Sequence, residues 1–302
     1  MNYRCYGLTI ASELTLPELA PADAAAAAAD VTIRRATVAP GGLPGGRQIG
    51  PFLWTTDEAL WLQVPGVARF LVQDGCEIRI DAADGADDDS LRVFLLGSAF
   101  GALLTQRGHL VLHGNALRVG DACMVCVGPS GAGKSTLAAA LLQRGHELVA
   151  DDVVPVDDDG RALPGFPRVK LWQDAAERLG IATDGLRRVR PPLAKFSLPA
   201  PGRGARLALP VRWIYILNSH PAEEVTLRAL QGHDRFRPLL NNTYRLRFLD
   251  GAALKGRHLQ QCGQLASLAR VVLVHRPQLG FDIDGLAERL LADVQAHPLP
   301  QP

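Results

Sequence analysis

The residues Gly128-Pro129-Ser130-Gly131-Ala132-Gly133-Lys134-Ser135 satisfy the pattern G-x-x-x-x-G-K-[ST]. Each residue type in that spacing has a chemical reason. Glycines let the backbone curl into a nest of N–H groups around phosphate oxygens, and the helix that follows turns its positive end toward them. The lysine reaches the β- and γ-phosphates, and the hydroxyl after it ligates magnesium. The flanks agree: an apolar Met124–Val127 run enters the loop, and Thr136 opens the helix-forming run TLAAALLQ that leaves it. Such a loop needs a second metal anchor, usually a carboxylate at a strand end. The next apolar segment, His146–Ala150, delivers Asp151 and Asp152. The acidic run Asp157–Asp159 before Gly160 reads instead as turn chemistry.

A histidine joins this set through the elements around it. Two strand-like runs flank Gly120-Asp121, a pair suited to a two-residue type II′ hairpin. That register puts His113 opposite Gly128, where an imidazole reaches either phosphate or the carboxylates. Cys123 and Cys126 form C-x-x-C, but within one extended strand they point to opposite faces and read as small buried hydrophobes. No N-K-x-D and no L-S-G-G-Q appears, which disfavours a guanine-specific switch protein and a transporter ATPase.

Stepping outward, Asp84–Asp89 forms the acidic, turn-rich boundary between two textures. Residues 1–88 read as a smaller β-rich domain. It has a strand over Tyr3–Ile10, another in VTIRRATV, a loop at Pro40–Gly46, and a meander of Ala59–Val64, Val67–Val72 and Cys76–Ile80. The run Ala22–Ala29 leaves a helix and a loose connector equally open. Residues 89–302 read as α/β. A helix capped by Ser90 runs to about Arg107, and later helices span Lys134–Gln143, Leu171–Leu179 and Ile283–Ala296. Strands are expected at Leu110–Arg118, Ala122–Val127, Glu147–Ala150, Ile214–Leu217 and Val271–Val274.

Composition narrows the class. The 302 residues suit about two domains, with 47% hydrophobic and 21% charged residues. Lys and Arg number 32 against 31 Asp and Glu, so no basic excess exists to neutralise a nucleic-acid backbone. No apolar run reaches the ~18 residues of a membrane span, no signal-peptide layout opens the chain, and five scattered cysteines do not suit a disulfide framework. The expectation is a cytoplasmic protein that binds neither membrane nor nucleic acid.

Leu112-His113-Gly114, the Gly128–Ser135 loop and Arg144-Gly-His-Glu-Leu-Val-Ala-Asp-Asp152 together resemble the core of HPr kinase/phosphorylase, a family similar in its nucleotide core to phosphoenolpyruvate carboxykinase. The C-terminal P-G-R-N-L-A-like signature of those kinases is not found in this chain, and residues 1–88 do not look like their N-terminal region. Over the whole chain, Tyr6-Gly-Leu-Thr-Ile10, Leu16-Pro-Glu-Leu19 and Gly165-Phe-Pro-Arg-Val-Lys-Leu-Trp172 resemble the HPr-kinase-like proteins of peptide-tailoring clusters, notably lasso-peptide kinases.

The resemblance implies an α/β P-loop kinase core using ATP and Mg²⁺. Its acceptor would be a serine hydroxyl of a precursor peptide, with HPr or a small-molecule hydroxyl as alternatives and homo-oligomerisation left open. The loop residues, including Pro129 and Thr136, would hold the nucleotide. Ser135 and Asp152 would hold the metal and Asp151 would act as base, although the residues alone do not separate the two carboxylates. Cations must also cover the transferred phosphate. Lys195 and Arg245, each among apolar neighbours, are preferred over Arg168, Lys170 and Arg247. Arg187, Arg188 and Arg190 before Pro191-Pro192 leave a basic lid or a solvated loop open. Phe166, Trp172 and Trp213 are expected in the core. An N-terminal sheet edge would suit peptide docking by strand addition.

Overall fold

The computed structural model describes residues 1–22, 28–190, 193–200, 204–205, 207–221, 223–250, 252–278 and 282–298. Most of the Ala22–Ala29 run, and Pro191-Pro192, therefore lie outside the described residues. Two compact units emerge, one of Met1–Val111, Val189–Leu193 and Tyr244–Gln261, the other of Leu112–Arg188, Ala194–Thr243 and Cys262–Pro302.

The first unit holds β1 (Asn2–Cys5), β2 (Leu8–Ser12), β3 (Ala20–Pro21), β4 (Val31–Arg35), β5 (Arg47–Gly50), β6 (Leu53–Thr55), β7 (Ala59–Val64), β8 (Ala68–Gln73) and β9 (Glu77–Ala82). They form one sheet in the order β3-β1-β2-β4-β9-β8-β7-β6-β5. The expected strand Tyr3–Ile10 is in fact a hairpin. Tyr6 and Gly7 take φ of 54° and 76° and turn the chain, so Cys5 pairs with Leu8. The meander β7-β8-β9 forms as read. Phe70 and Val72 alternate with half-buried residues and are fully buried on one face, the period-2 pattern of a sheet with one covered side.

Next come α1 (Asp88–Phe94), a π-helical turn at Leu95–Ala99 and α2 (Phe100–Gln106). The cap is Asp87, not Ser90: its carboxylate accepts the Ser90 N–H at 2.7 Å and the Ser90 hydroxyl at 2.7 Å. This helical stretch belongs with the N-terminal sheet, so the division expected at residue 88 falls at Val111 instead. Gln106 accepts from Gly75 N–H at 3.0 Å and donates to Val72 O at 3.2 Å, clipping the helix end to the β8–β9 turn. Leu91, Leu95, Phe100 and Leu103 are buried completely or nearly so.

The second unit is the α/β part. Its elements are β10 (Leu110–Val119, entering from the first unit), β11 (Ala122–Val127), α3 (Lys134–Gln143), β12 (Leu148–Val156), β13 (Arg161–Ala162), β14 (Arg168–Trp172), α4 (Gln173–Arg178), β15 (Lys195–Pro199), β16 (Leu209–His220), β17 (Thr226–Ala229), α5 (Phe236–Asn241), α6 (Ala252–Leu268, begun in the first unit), β18 (Arg270–Pro277) and α7 (Ile283–Ala296). The chain is thus α/β with a β-rich N-terminal region. In the main sheet β11 lies antiparallel to β10 and parallel to β16, and β16 lies parallel to β18. The helix α3 leaves β11 and buries Leu137 and Leu141 in a cluster with Met124, Tyr215, Leu286 and Leu290.

Three boundaries differ from expectation in ways that matter for the site. β12 continues to Val156, so Asp151 and Asp152 sit inside a strand rather than at its end. Leu171 and Trp172 close β14, and α4 starts only at Gln173. The whole of α6 was unread, because its apolar residues are interrupted by Gly256 and Gly263 and lack a clean period. Asp157 does make its expected turn, accepting backbone N–H groups from Asp159 and Arg161.

Candidate active site

The hairpin β10–β11 sets the geometry. Gly120 has φ of 61°, and Val119 pairs with Ala122 as a two-residue turn requires. The hairpin register ends at Gly114 opposite Val127, and His113, the next residue, donates its backbone N–H to Asn242 O at 2.8 Å. Gly114 has a packing reason to be glycine: a Cβ there would lie 2.3 Å from the Cys126 carbonyl oxygen. Gly128 has two, a φ of 146° and a Cβ position 2.3 Å from Leu217 O on neighbouring β16. The phosphate loop is therefore seated directly on the sheet. Gly131 and Gly133 also take positive φ, and Gly133 stands in the N-cap place of α3.

A cleft of about 710 Å³ opens over this loop. His113, Ser130, Gly131, Gly133, Lys134, Ser135, Thr136, Asp151, Asp152 and Lys195 all line it, so the structure gathers most of the expected set into one place. Gly128, Pro129 and Ala132 do not line it; Ala132 is buried. Arg245 belongs to the first unit, where its guanidinium lies over the rings of Tyr244 and Phe248, and every residue lining the cleft belongs to the second. Its apolar neighbours thus signalled ring contacts and not this cleft. Arg168 lies 3.5 Å from the Ser197 hydroxyl, Arg188 over Phe196 and Arg190 over Phe94, none of them along the cleft. Phe166 and Trp213 are buried as expected, but Trp172 is 48% exposed at the cleft, with Lys195 Nζ over its ring.

The two carboxylates differ. Asp151 is buried and accepts the Lys170 backbone N–H at 2.9 Å. Burial and the neighbouring Asp152 charge push its pKa up to about 6. Asp152 has a left-handed backbone, φ 70°, a strained conformation of the kind found at functional sites. Burial opposes its ionisation, yet the Lys170 ammonium at 2.8 Å prevails and brings it down to about 2. Lys170 therefore grips both carboxylates, one through its backbone and one through its side chain. His113 Nδ1 lies 3.2 Å from Asp152 O and 3.4 Å from its Oδ1. Burial lowers the imidazole pKa, which favours the neutral ring. Lys134 Nζ donates to Gly128 O at 2.7 Å and Pro129 O at 3.1 Å, and burial lowers its pKa as well as that of Lys195.

One further cation was not read from the sequence. Arg276, near the end of β18, is buried with its guanidinium on the loop carbonyls of Gly131 and Ala132. The only sequence signal was an arginine closing an apolar strand, H-R-P after Val271–Val274. The C-x-x-C cysteines are both fully buried and free, with their thiol pKa values raised by burial, that of Cys126 to about 12.

Among known families, the HPr Serine kinase C-terminal domain matches residues 105–176, the stretch holding His113, the loop and both carboxylates. That stretch, about a quarter of the chain, is similar to the HPr Serine kinase C-terminal domain. The HPr kinase/phosphorylase of Clostridium beijerinckii is 38% identical over 71 residues, 23% of this chain and 24% of that protein. That of Chlorobium limicola is 44% identical over 55 residues, 18% and 17% of the two chains. That of Lactobacillus gasseri is 28% identical over 119 residues, 36% and 37%. The chain thus spans between about a sixth and about a third of the length of these relatives. The solved HPr(Ser) kinase/phosphatase from Coxiella burnetii overlaps 62% of this chain and 96% of its own, at 15% identity and a TM-score of 0.31. No helix among the described residues is long and apolar enough to cross a membrane.

Proposed function

We propose that this chain is an ATP-dependent serine kinase that moves the γ-phosphoryl group to a serine hydroxyl of a protein or peptide. The observation that carries it is the convergence, in one cleft, of the seated phosphate loop, Lys134, Ser135 and two carboxylates of opposite acidity.

The residues fit both nucleotide and metal. Gly131, on the cleft, has open space beside it, and Gly128 lets the loop lie against Leu217 O of the sheet. Mg²⁺ takes one or two carboxylates together with substrate phosphates. Ser135 and the ionised Asp152 suit that role, and the ion, when bound, supplies positive charge to the phosphate oxygens. Phosphoryl transfer is mostly positioning and charge stabilisation. The loop amides and Lys134 hold the β- and γ-phosphates. Lys195 adds a cation at the cleft, and Lys170 keeps both carboxylates in place. The acceptor hydroxyl oxygen bonds to the γ-phosphorus, the bond from phosphorus to the β,γ-bridging oxygen breaks, and ADP leaves. Asp151, with a pKa near 6, takes the hydroxyl proton, since a base works best when its pKa lies near the working pH. The neutral His113 steadies the Asp152 backbone.

The relatives are named for HPr, and an HPr-type protein acceptor follows from them. A precursor-peptide acceptor is supported by the segments Tyr6–Ile10, Leu16–Leu19 and Gly165–Trp172 of the sequence. The edge strands of the 1–88 region would hold such a peptide by strand addition. The test is incubation with γ-labelled ATP, Mg²⁺, HPr, free serine and peptides ending in serine. Label on HPr or on a peptide supports the serine kinase reading and identifies the acceptor; label on free serine alone, or on none, overturns it. Lys134→Ala should lower turnover by at least about 10²-fold, as loss of one charge-stabilising donor does.

A further inference from the structure

The carbonyls of the phosphate loop have a partner of their own, an arginine that also lines the cleft. Arg276 is 8% exposed and directs its guanidinium at three main-chain carbonyls. Its Nε donates to Ala132 O at 2.8 Å, its Nη2 to Gly131 O at 2.9 Å and its Nη1 to Pro277 O at 2.9 Å. The first two acceptors are consecutive residues of the loop. The third belongs to its own strand, which is anchored in the main sheet by the pairing of Arg276 with Ser219.

Peptide planarity gives these bonds a consequence. A carbonyl and the N–H of the next residue share one rigid plane and point opposite ways. Fixing Gly131 O fixes the plane that carries Ala132 N–H, which donates to Pro129 O at 3.2 Å and closes the loop turn, and fixing Ala132 O fixes the plane that carries Gly133 N–H. A loop rich in glycine has many backbone states to choose from, and a nest of amides exists only in a few of them. A planar, always-charged fork with five N–H donors suits two adjacent carbonyls in a way that a lysine ammonium does not.

We propose that Arg276 is a positioning residue for phosphate binding: by clamping Gly131 O and Ala132 O, it fixes the Pro129–Ala132 turn of the loop and presets the peptide that carries the Gly133 N–H, so that the loop keeps the shape that receives the nucleotide phosphates. Arg276 also lines the cleft, and in this role it acts through the loop. The inference deepens the kinase reading, and the nucleotide arm of its test rests on that reading. The clamp itself is measurable without any nucleotide.

The experiment compares the full-length wild type with Arg276→Gln and Arg276→Lys. Amide hydrogen exchange of residues 130–136 is followed in the ligand-free proteins, and calorimetry measures affinity for Mg·ADP and for Mg·ATP. The clamp predicts exchange at Ala132 and Gly133 faster by tenfold or more in Arg276→Gln, with β11 and β16 exchanging as in the wild type. It also predicts at least tenfold weaker binding of both nucleotides. Arg276→Lys should recover part of each, since an ammonium can serve one carbonyl but not fork two. Should Arg276→Gln not fold, the lysine variant alone must still show the loop-confined rise in exchange. A merely structural role would raise exchange throughout the sheet while the folded molecules bound nucleotide normally; that pattern, or unchanged loop exchange, overturns the proposal. If the wild type binds no nucleotide but its loop exchange is slow and Arg276-dependent, the kinase reading fails and the clamp stands.

Discussion

Asp151 and Asp152 share a backbone, a cleft and a lysine, yet one is pushed up to about 6 and the other down to about 2. The physical reason is where each oxygen points. The Asp151 carboxylate accepts the Lys170 main-chain N–H, while the Asp152 carboxylate accepts the Lys170 ammonium. That difference predicts different failures. Asp151→Asn should lower kcat by about 10²–10⁴-fold, the usual worth of a general base, with little change in the Mg²⁺ requirement. Asp152→Asn should shift the Mg²⁺ titration to higher concentration and free Lys170 from its partner. Steady-state rates across a magnesium series distinguish the two, and identical titrations in both variants would make the pair a single unit. The cysteines make the opposite case. Buried, free and on one strand, Cys123 and Cys126 should tolerate replacement by Ala with activity kept and a stability loss of less than about 3 kcal/mol, read from urea unfolding of each variant. The spacing of the loop, of His113 and of the carboxylates was legible in the sequence because the chemistry fixes residue types at fixed offsets. Arg276 was not, because a lone arginine at a strand end is ordinary until the fold brings it onto the loop carbonyls.

At the scale of elements, the parts legible in the sequence were those with local punctuation. Gly120-Asp121 announced its hairpin, and the loop glycines with TLAAALLQ announced α3 within its true bounds. The parts that were not legible depend on partners distant in the chain. β12 runs on through Asp151 to Val156, and its last residue pairs with Ala162 of β13. α6 spans seventeen residues with no sharp apolar stripe. The cap of α1 shows how near a local reading comes. Ser90 was the expected cap, but the carboxylate three residues earlier takes both Ser90 donors and the helix begins at Asp88. These bonds hold the Asp87 carboxyl below its ordinary pKa, with the Ser90 backbone N–H the main cause. Asp87→Ala should therefore cost about 1 kcal/mol of stability, whereas Ser90→Ala, which leaves the N–H bond in place, should cost less. Urea midpoints of the two variants decide which residue is the cap; a larger loss for Ser90→Ala would return the role to the serine.

For the molecule as a whole, the division into a unit built on the N-terminal sheet and a unit built on the loop-bearing sheet was legible only in outline. The texture change at Asp84–Asp89 is real, but the helices after it are apolar on the face that meets the N-terminal sheet, and so the first unit extends to Val111 and gathers Tyr244–Gln261 from far along the chain. That late segment carries a titratable group with consequences for the folded state. His258, on α6, is 3% exposed, and burial lowers its pKa from 6.5 to about 4. Above pH 6.5 the ring is neutral in both folded and unfolded chains and contributes no pH dependence. Between about 6.5 and 4 the unfolded chain binds the proton and the folded chain does not, so unfolding takes up a proton and becomes easier as the pH falls. Below about 4 both states are protonated and the slope vanishes again. The expected loss across this window is on the order of 3 kcal/mol for the single group, given about 1.4 kcal/mol per pKa unit between 6.5 and about 4. Histidines elsewhere in the chain add their own slopes, so the comparison must be between wild type and His258→Gln. The variant keeps a polar side chain of similar length but has nothing to titrate. Urea unfolding at pH 7 and at pH 4.5 should show the wild type losing more stability than the variant over that interval. Equal losses would mean that His258 is protonated inside the folded protein at the same pH as outside it, and that its burial does not oppose the charge.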